Sequence, residues 1–181
     1  MNHQNIKKLT VMAMLVAVSV ILVYIVHFPL FPTAAFLEYD PADIPILIGA
    51  FTYGPLAGIL LTIAASAVQA LTVSAQSGLY GFLMHVISTS ILCVTAGLIY
   101  KYYHTRLGAA LALLAGTLAM GLAMMLANHF ITPLFMGVPT EMVDGMLLTV
   151  FLPFNLLKAG INSAITFLVY KTVSTHLIKR I

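Results

Sequence analysis

The sequence predicts an all-α membrane protein with six transmembrane helices, both termini in the cytoplasm and a short second helix. Two observations favour this class. Of the 181 residues, 61% are hydrophobic and only 7% are charged, whereas soluble domains are about 45–50% apolar and about 25% charged. The apolar residues form runs long enough to cross a bilayer, with charged residues almost only between them. The chain is therefore expected to form a single integral membrane domain, residues 1–181.

The first apolar run, Leu9–Phe28, follows Lys7 and Lys8. A helix needs about 20 residues to cross roughly 30 Å of hydrocarbon, and this run has that length. It is too long for the apolar core of a signal peptide, which has about 7–15 residues. We therefore expect a retained first span.

Five further apolar segments follow: Ile44–Tyr53, Leu56–Val73, Leu79–Tyr100, Leu107–Ile131 and Met146–Tyr170. The first of these is too short to cross the bilayer alone. Gly54-Pro55 separates it from the next, and Gly-Pro is a strong breaker of regular structure. Residues 44–73 therefore form either one kinked span or two helices joined by a tight turn.

The charge distribution decides between these two arrangements. With six spans and the N-terminus inside, all five acids are external and seven of the eight basic residues are cytoplasmic, in agreement with the positive-inside rule. With five spans, Lys101, Arg106 and the basic C-terminus would be external. The seven basic residues are Lys7, Lys8, Lys101, Arg106, Lys171, Lys179 and Arg180, and the acids are Glu38, Asp40, Asp43, Glu141 and Asp144.

The six-span arrangement gives three external connections, residues 27–41, 74–80 and 132–145. The first contains three prolines and is expected to be a structured loop, and the third is expected to be a loop with two prolines and two glycines. Binding residues are often found on loops held by a rigid scaffold. A ligand is therefore expected to enter from outside, with Leu37 and Tyr39 of the first loop among its contacts.

The eighth basic residue, Lys158, lies inside the last span, roughly 18 Å from its outer end. A charged side chain at this depth is costly and is a functional-site candidate by default. Asn155 and Asn162 share its helix face. Because every acid is placed at or beyond the outer helix ends, where Asp40 and Asp43 are expected to cap the second helix, a structural salt bridge to Lys158 is hard to build. A role in ligand binding is predicted instead.

Other polar residues lie at a similar height in neighbouring spans. Asn128 is about one turn inside the fifth span, His129 follows it, and His85 is one to two turns inside the fourth. We expect these groups to converge with Lys158 on a cavity that opens outward. An ammonium group beside carboxamides suits a polar, uncharged or anionic small molecule, including a planar heterocycle. Asn162 is expected to bond a neighbouring helix rather than the ligand.

Several function classes are disfavoured. The sequence has no catalytic H-E-x-x-H, G-x-S-x-G or Walker-type motif, no carboxylate pair within a span, and no basic run that would bind nucleic acid. The single cysteine, Cys93, excludes an internal disulfide and a cysteine metal site, and no metal is expected. A self-contained secondary transporter remains an alternative, although no coupling-ion path is visible. A purely structural subunit would leave Lys158 unexplained.

Three stretches resemble one family. "FLEYDPADIPILIGAFTYGPLAGI" (residues 36–59), "GTLAMGLAMMLANHFITPLFMGVP" (116–139) and "LPFNLLKAGINSAITFLVYK" (152–171) are similar to the substrate-binding S components of energy-coupling factor (ECF) vitamin transporters, most closely to the riboflavin-specific ones. The resemblance covers essentially the whole chain. Relatives for other vitamins share much of the first signature, so an S component for pantothenate or another vitamin is the alternative.

The resemblance implies a binding subunit in the cell membrane that takes up riboflavin as transported ligand, without enzymatic activity and without a resident cofactor. It implies ligand contacts at Asn128, Asn155 and Lys158. It also implies that Ala13 and Ala17, a small-x-x-x-small pair in the first span, meet a transmembrane coupling subunit, with two ATPase subunits completing the complex. Such a pair lets another helix approach closely.

Overall fold

The computed structural model describes residues 3–173. Within them six helices follow one another: α1 His3–Ile25, α2 Asp43–Tyr53, α3 Pro55–Leu71, α4 Gly78–Tyr102, α5 Arg106–Met136 and α6 Thr140–Val173. Four of them, α1, α4, α5 and α6, are long and apolar enough to cross a membrane, and α2 and α3 are shorter apolar helices. The predicted six-helix fold with a short second helix is confirmed.

The break between α2 and α3 occurs at Gly54, which has a φ of 92°. This conformation is open to glycine and strained for residues with a Cβ atom. Pro55 follows at the first position of α3, where its fixed φ suits a helix start and its missing N–H is no loss. Residues 44–73 are therefore two helices and not one kinked span.

The first connection is an ordered hairpin, as expected of a structured loop. The strand β1, Phe28–Pro29, pairs antiparallel with β2, Glu38–Tyr39, and a 3₁₀ turn, Pro32–Ala34, lies between them. The hairpin leads directly into α2. All eight residues from Asp43 to Ala50 are buried, so α2 is enclosed by the bundle on every side.

The third connection differs from the predicted loop. The helix α5 continues through Pro133 to Met136 and α6 begins at Thr140, so only residues 137–139 are outside a helix. Pro133 is tolerated because it lies in the last turn, where its missing N–H removes a single helix bond. The helix then ends at Gly137, which adopts the left-handed conformation with a φ of 65°. Glycine commonly ends helices in this conformation.

The other helix ends differ from the sequence estimate by smaller amounts. The first helix begins at His3 rather than Leu9 and ends at Ile25 rather than Phe28. A 3₁₀ turn, Ala75–Ser77, lies in the second connection. Within α6 the segment Leu147–Phe151 is a π-helix. Pro153 follows it and cannot donate to the preceding turn, which accounts for a locally widened helix at this point.

Aromatic contacts gather four helix ends at one end of the bundle. Phe51 of α2 stacks on Tyr100 of α4 at 4.3 Å between ring centroids and meets Tyr170 of α6 edge-on at 5.5 Å. Lys8 of α1 lies over the Tyr53 ring, 5.4 Å from its centroid. Lys101 and Lys171 directly follow two of these aromatic residues. We call this the basic end.

The opposite end carries the hairpin, and we call it the loop end. Phe36 of the hairpin lies 6.5 Å from Phe135 near the end of α5, and Tyr80 near the start of α4 lies 5.8 Å from the same ring. Among the described residues, Glu38, Glu141 and Asp144 lie at the loop end, opposite Lys8, Lys101 and Lys171, whereas Asp40 and Asp43 lie deeper in the bundle. Lys179 and Arg180 lie outside the described part of the chain. Which end faces the cytoplasm stays a prediction.

The orientation can be tested with single cysteines, since Cys93 is buried and gives the unmodified protein little background. Glu141 at the loop end and His104 at the basic end are both exposed. We expect Glu141→Cys to react with a membrane-impermeant thiol reagent in whole cells and His104→Cys to react only after the cells are opened. Labelling in the reverse order would contradict the predicted topology.

Candidate functional site

A cavity of about 180 Å³ lies at the loop end. The first loop covers it, and α3, α4, α5 and α6 form its sides. The structure brings five of the six predicted ligand-binding residues together around it: Leu37, His85, Asn128, Asn155 and Lys158. These residues come from four distant parts of the sequence.

The sixth, Tyr39, is placed differently. We expected it to contact the ligand, but it is not among the described residues that line the cavity. Its side chain is buried, and its hydroxyl donates to Asn162 Oδ1 at 3.0 Å. Tyr39 therefore packs behind the cavity lining and holds the hairpin against α6.

The most important correction concerns Lys158. Its ammonium donates to the Asp40 carboxylate with 2.5 Å between Nζ and Oδ2, and both side chains are nearly buried, with exposed fractions of 10% and 12%. The expectation that no acid lies at its depth was wrong. A structural ion pair exists, and one of its members comes from the covering loop.

The length of α2 explains the error. Its 11 residues rise only about 16 Å from the basic end, roughly half of a membrane-spanning distance. The start of α2, and Asp40 just before it, are therefore deep in the bundle rather than at its rim. The depth of Lys158 could be predicted by counting residues along the last helix. The depth of Asp40 and Asp43 could not, because it depends on how short the second helix is.

Asp40 and Asp43 also do not act as side-chain caps of α2 as expected. The residue before the helix is Ala42, with no side-chain cap bond, although its own N–H donates to Asp40 Oδ1 at 3.0 Å. Asp43 is fully buried and accepts from Thr89 Oγ1 at 2.6 Å and from Asn162 Nδ2 at 3.0 Å. These carboxylates link different segments of the bundle and do not cap the N-terminus of α2.

Asn162 makes the interhelical contacts expected of it. Besides Asp43, its amide nitrogen contacts the Asp40 carbonyl oxygen at 3.0 Å.

The ionisation state of the Asp40 carboxyl is set by its buried neighbours. Burial by itself raises the pKa of the Asp40 carboxyl, but the adjacent Lys158 ammonium and the bond from Ala42 outweigh that effect and hold the pKa below its ordinary value. Asp40 therefore stays ionised.

Asn128 and Asn155 are fixed by their own helices. Asn128 Nδ2 donates to the Met124 carbonyl at 2.6 Å, and Asn155 Nδ2 donates to the Phe151 carbonyl at 2.8 Å, at the end of the π-helical segment. Each of these bonds uses one of two amide hydrogens. Both side chains are buried and pre-oriented, which suits recognition of a ligand by directional hydrogen bonds.

The two histidines have different settings. His85 lines the cavity, with Nδ1 2.6 Å from Ser66 Oγ and Nε2 3.7 Å from Asp43 Oδ1. His129 instead pairs with Asp144 at 2.6 Å on the surface of the loop end, where both side chains are more than a third exposed. His129 therefore joins α5 to α6 and is not part of the described cavity lining.

Sequence reasoning missed other lining residues. Gln69 of α3 lines the cavity, and so do apolar residues such as Met120, Met124 and Phe154. Gln69 carried the signal that identified Asn128, namely a carboxamide inside an apolar span. The apolar residues carried no distinguishing signal, because their sequence pattern is the same as that of ordinary core residues.

The predicted partner residues lie on the far side of α1. This helix buries Val11, Leu15, Ser19 and Val23 against the bundle, whereas Ala13 and Ala17 are exposed on its surface. The small-x-x-x-small pair is therefore accessible to another helix and separate from the cavity.

The site is suited to binding an uncharged polar molecule. Lys158 is neutralised by Asp40, and Asp43 adds a further buried acid, so an anionic ligand would meet unfavourable charge. This narrows the sequence-based expectation, which included anions. Methionine and aromatic side chains offer apolar contact to a flat ring, and the carboxamides offer donors and acceptors to its edge.

A six-helix bundle with a loop-covered polar cavity defines a membrane-embedded binding subunit, and comparison with known proteins gives its family. Residues 7–170 match the family model for "ECF transporter, substrate-specific component", and the chain belongs to this family. It is therefore a multi-pass cell-membrane protein that serves as the substrate-specific component of a transporter and not as an enzyme. Its partners are those of the ECF transporter module.

Particular relatives cover nearly the whole chain. It is 28% identical over 179 residues to riboflavin transporter FmnP of Bacillus subtilis (strain 168), covering 92% of this chain and 91% of the relative. It is 26% identical over 187 residues to riboflavin transporter RibU of Staphylococcus aureus (strain TCH60), covering 100% and 97%. A solved structure described as "Structure and mechanism of the S component of a bacterial ECF transporter" superimposes with a TM-score of 0.82 at 26% identity, covering 97% and 99%.

The ion pair yields a prediction about stability. Asp40→Asn or Lys158→Met alone leaves one buried charge without its partner and should lower the free energy of unfolding by about 3–5 kcal/mol. The double variant removes both charges and should recover most of that loss. Unfolding in detergent micelles, followed by circular dichroism, measures all three.

The exposed His129–Asp144 pair provides the control. Asp144→Asn breaks a pair of similar distance in contact with solvent, so its cost should be about 0–1 kcal/mol. If the losses from the two buried substitutions simply add in the double variant, Asp40 and Lys158 do not act as a pair.

Proposed function

We propose that this chain is a high-affinity riboflavin-binding subunit that mediates riboflavin uptake as part of an ATP-driven ECF transporter. The observation that carries the proposal is the loop-covered cavity in which Asn128, Asn155 and Lys158 converge beside apolar side chains. Two curated relatives that cover nearly the whole chain are named riboflavin transporters, which supports the choice of ligand.

The chemistry of the cavity fits a flavin. The isoalloxazine ring is flat and uncharged, has apolar faces, and carries carbonyl oxygens and an N–H group along one edge. Met120, Met124 and Phe154 supply apolar contact to such a ring. The carboxamides of Asn128 and Asn155 provide both donors and acceptors for its polar edge, and the Lys158 ammonium donates to a carbonyl oxygen.

The loop end faces the outside of the cell in this proposal, and the basic end faces the cytoplasm. Riboflavin enters beneath the hairpin and is carried as cargo, not as a resident cofactor. The subunit works with one transmembrane coupling subunit and two ATPase subunits, which supply the energy. Ala13 and Ala17 on the exposed side of α1 meet a helix of the coupling subunit.

Titration with riboflavin tests the ligand and its contacts. The purified protein should quench flavin fluorescence on binding, and pantothenate should not compete. Asn128→Leu or Asn155→Leu leaves a ligand polar group unpaired in a buried site, which should cost about 1–3 kcal/mol, or roughly 5- to 150-fold in affinity.

Asn5→Leu on the exposed surface of α1 is the matched control and should leave the affinity unchanged. The thermal stability of each ligand-free variant separates loss of binding from loss of folding. If the folded wild-type protein does not bind riboflavin, the proposed function is contradicted.

The partner face gives a prediction that separates uptake from binding. Replacing Ala13 and Ala17 together by leucine blocks close approach of another helix without touching the cavity. Uptake of radiolabelled riboflavin by cells that contain the whole transporter should collapse, while the isolated variant keeps wild-type affinity. Loss of both activities together would indicate a folding defect or a role in the cavity.

A further inference from the structure

Three buried side-chain polar atoms have no hydrogen-bond partner among the described residues: Gln69 Nε2, His85 Nε2 and Ser90 Oγ. Native proteins leave few such groups, and each calls for an explanation such as a missing water or ligand. Two of the three, in Gln69 and His85, belong to residues that line the cavity. Ser90 is not among the described lining residues.

Hydrogen bonds hold the backbone of Gln69 in place. It lies near the end of α3 and is 5% exposed, and its backbone carbonyl accepts from Thr72 N at 3.1 Å and from Ser74 N at 2.9 Å. The turn that ends α3 is thus built around this residue. Its carboxamide offers donors and an acceptor, and the buried amide nitrogen is unsatisfied within the described part of the chain.

The surroundings of Gln69 are rich in hydroxyl groups. We define the α3–α4 wall as the polar lining residues from α3, α4 and their connection: Ser66, Gln69, Ser74, Ser77, His85 and Ser88. Ser66 Oγ is 2.6 Å from His85 Nδ1, which orders the imidazole and turns Nε2 toward Asp43, 3.7 Å away and beyond hydrogen-bond distance. The predicted ring contacts Asn128, Asn155 and Lys158 come from α5 and α6 instead.

We propose that Gln69 binds a hydroxyl-bearing chain of the ligand and is a specificity-determining residue of the site. Each hydroxyl of a polyol both donates and accepts, and carboxamide and serine groups offer the matching partners. This inference rests on the proposed function, because riboflavin has a flat ring with a ribityl chain. In this arrangement the ring contacts residues of α5 and α6, and the ribityl chain contacts the α3–α4 wall.

The test compares riboflavin with lumiflavin, which has the same ring and a methyl group in place of the ribityl chain. Gln69→Met keeps the side-chain length and removes the amide. We expect it to weaken riboflavin binding roughly 5- to 30-fold, as for a lost buried hydrogen-bond partner, and to leave lumiflavin binding unchanged. Asn155→Leu should weaken both ligands, since its contact is to the ring.

Ser90→Ala is the matched control. It removes another unpartnered buried polar atom outside the described cavity lining and should change neither affinity. Because the amide nitrogen of Gln69 has no partner in the described structure, the ligand-free Gln69→Met protein should unfold at the same temperature as wild type or higher. A merely structural glutamine would show the opposite. Gln69→Leu repeats the comparison if Gln69→Met fails to fold.

The outcomes separate the two proposals. A wild-type protein that binds neither flavin overturns the proposed function. A wild-type protein that binds riboflavin, with Gln69→Met weakening both flavins equally or neither, leaves the proposed function standing and overturns the role of Gln69.

Discussion

The buried ion pair between Asp40 and Lys158 holds the covering loop on the bundle. Taking two charges out of water is costly, and the cost is offset only when further hydrogen bonds satisfy them. The Asp40 carboxylate accepts one such bond, from the Ala42 N–H, and Asn162 also anchors the segment by donating to the Asp40 backbone carbonyl. Because one partner lies in the loop and the other in the last helix, the pair fixes the position of the covering loop over the cavity.

The same region connects most of the bundle. Asp43 accepts from Thr89 of α4 and Asn162 of α6, and Ser19 of α1 donates to the Ala42 carbonyl at 2.9 Å. Three helices thus contact the short segment that contains Asp40, Ala42 and Asp43. Polar groups in such a network limit one another's freedom, so the start of α2 has a well-defined place although it lies inside an apolar bundle.

Composition, run length and charge predicted six helices, and Gly54-Pro55 predicted the break between α2 and α3. The convergence of Asn128 and Lys158 followed from counting turns, because a helix has a fixed rise. The ion pair did not follow, because the depth of Asp40 depends on how far a short helix reaches within a particular packing. The continuation of α5 past Pro133 was missed because a proline signals a break in sequence while in the last turn it costs little.

The shortness of α2 also bears on how the protein is held together. The cavity is lined by no described residue of α1 or α2, so the loop end lacks the packing that a full-length second helix would provide. Under the proposed function, a ligand bound in the cavity would supply part of that missing packing. Its binding free energy adds to the free energy of unfolding, by about 2.7 kcal/mol at a hundredfold excess over Kd. The lifetime of the folded protein would then rise and fall with the supply of its own cargo.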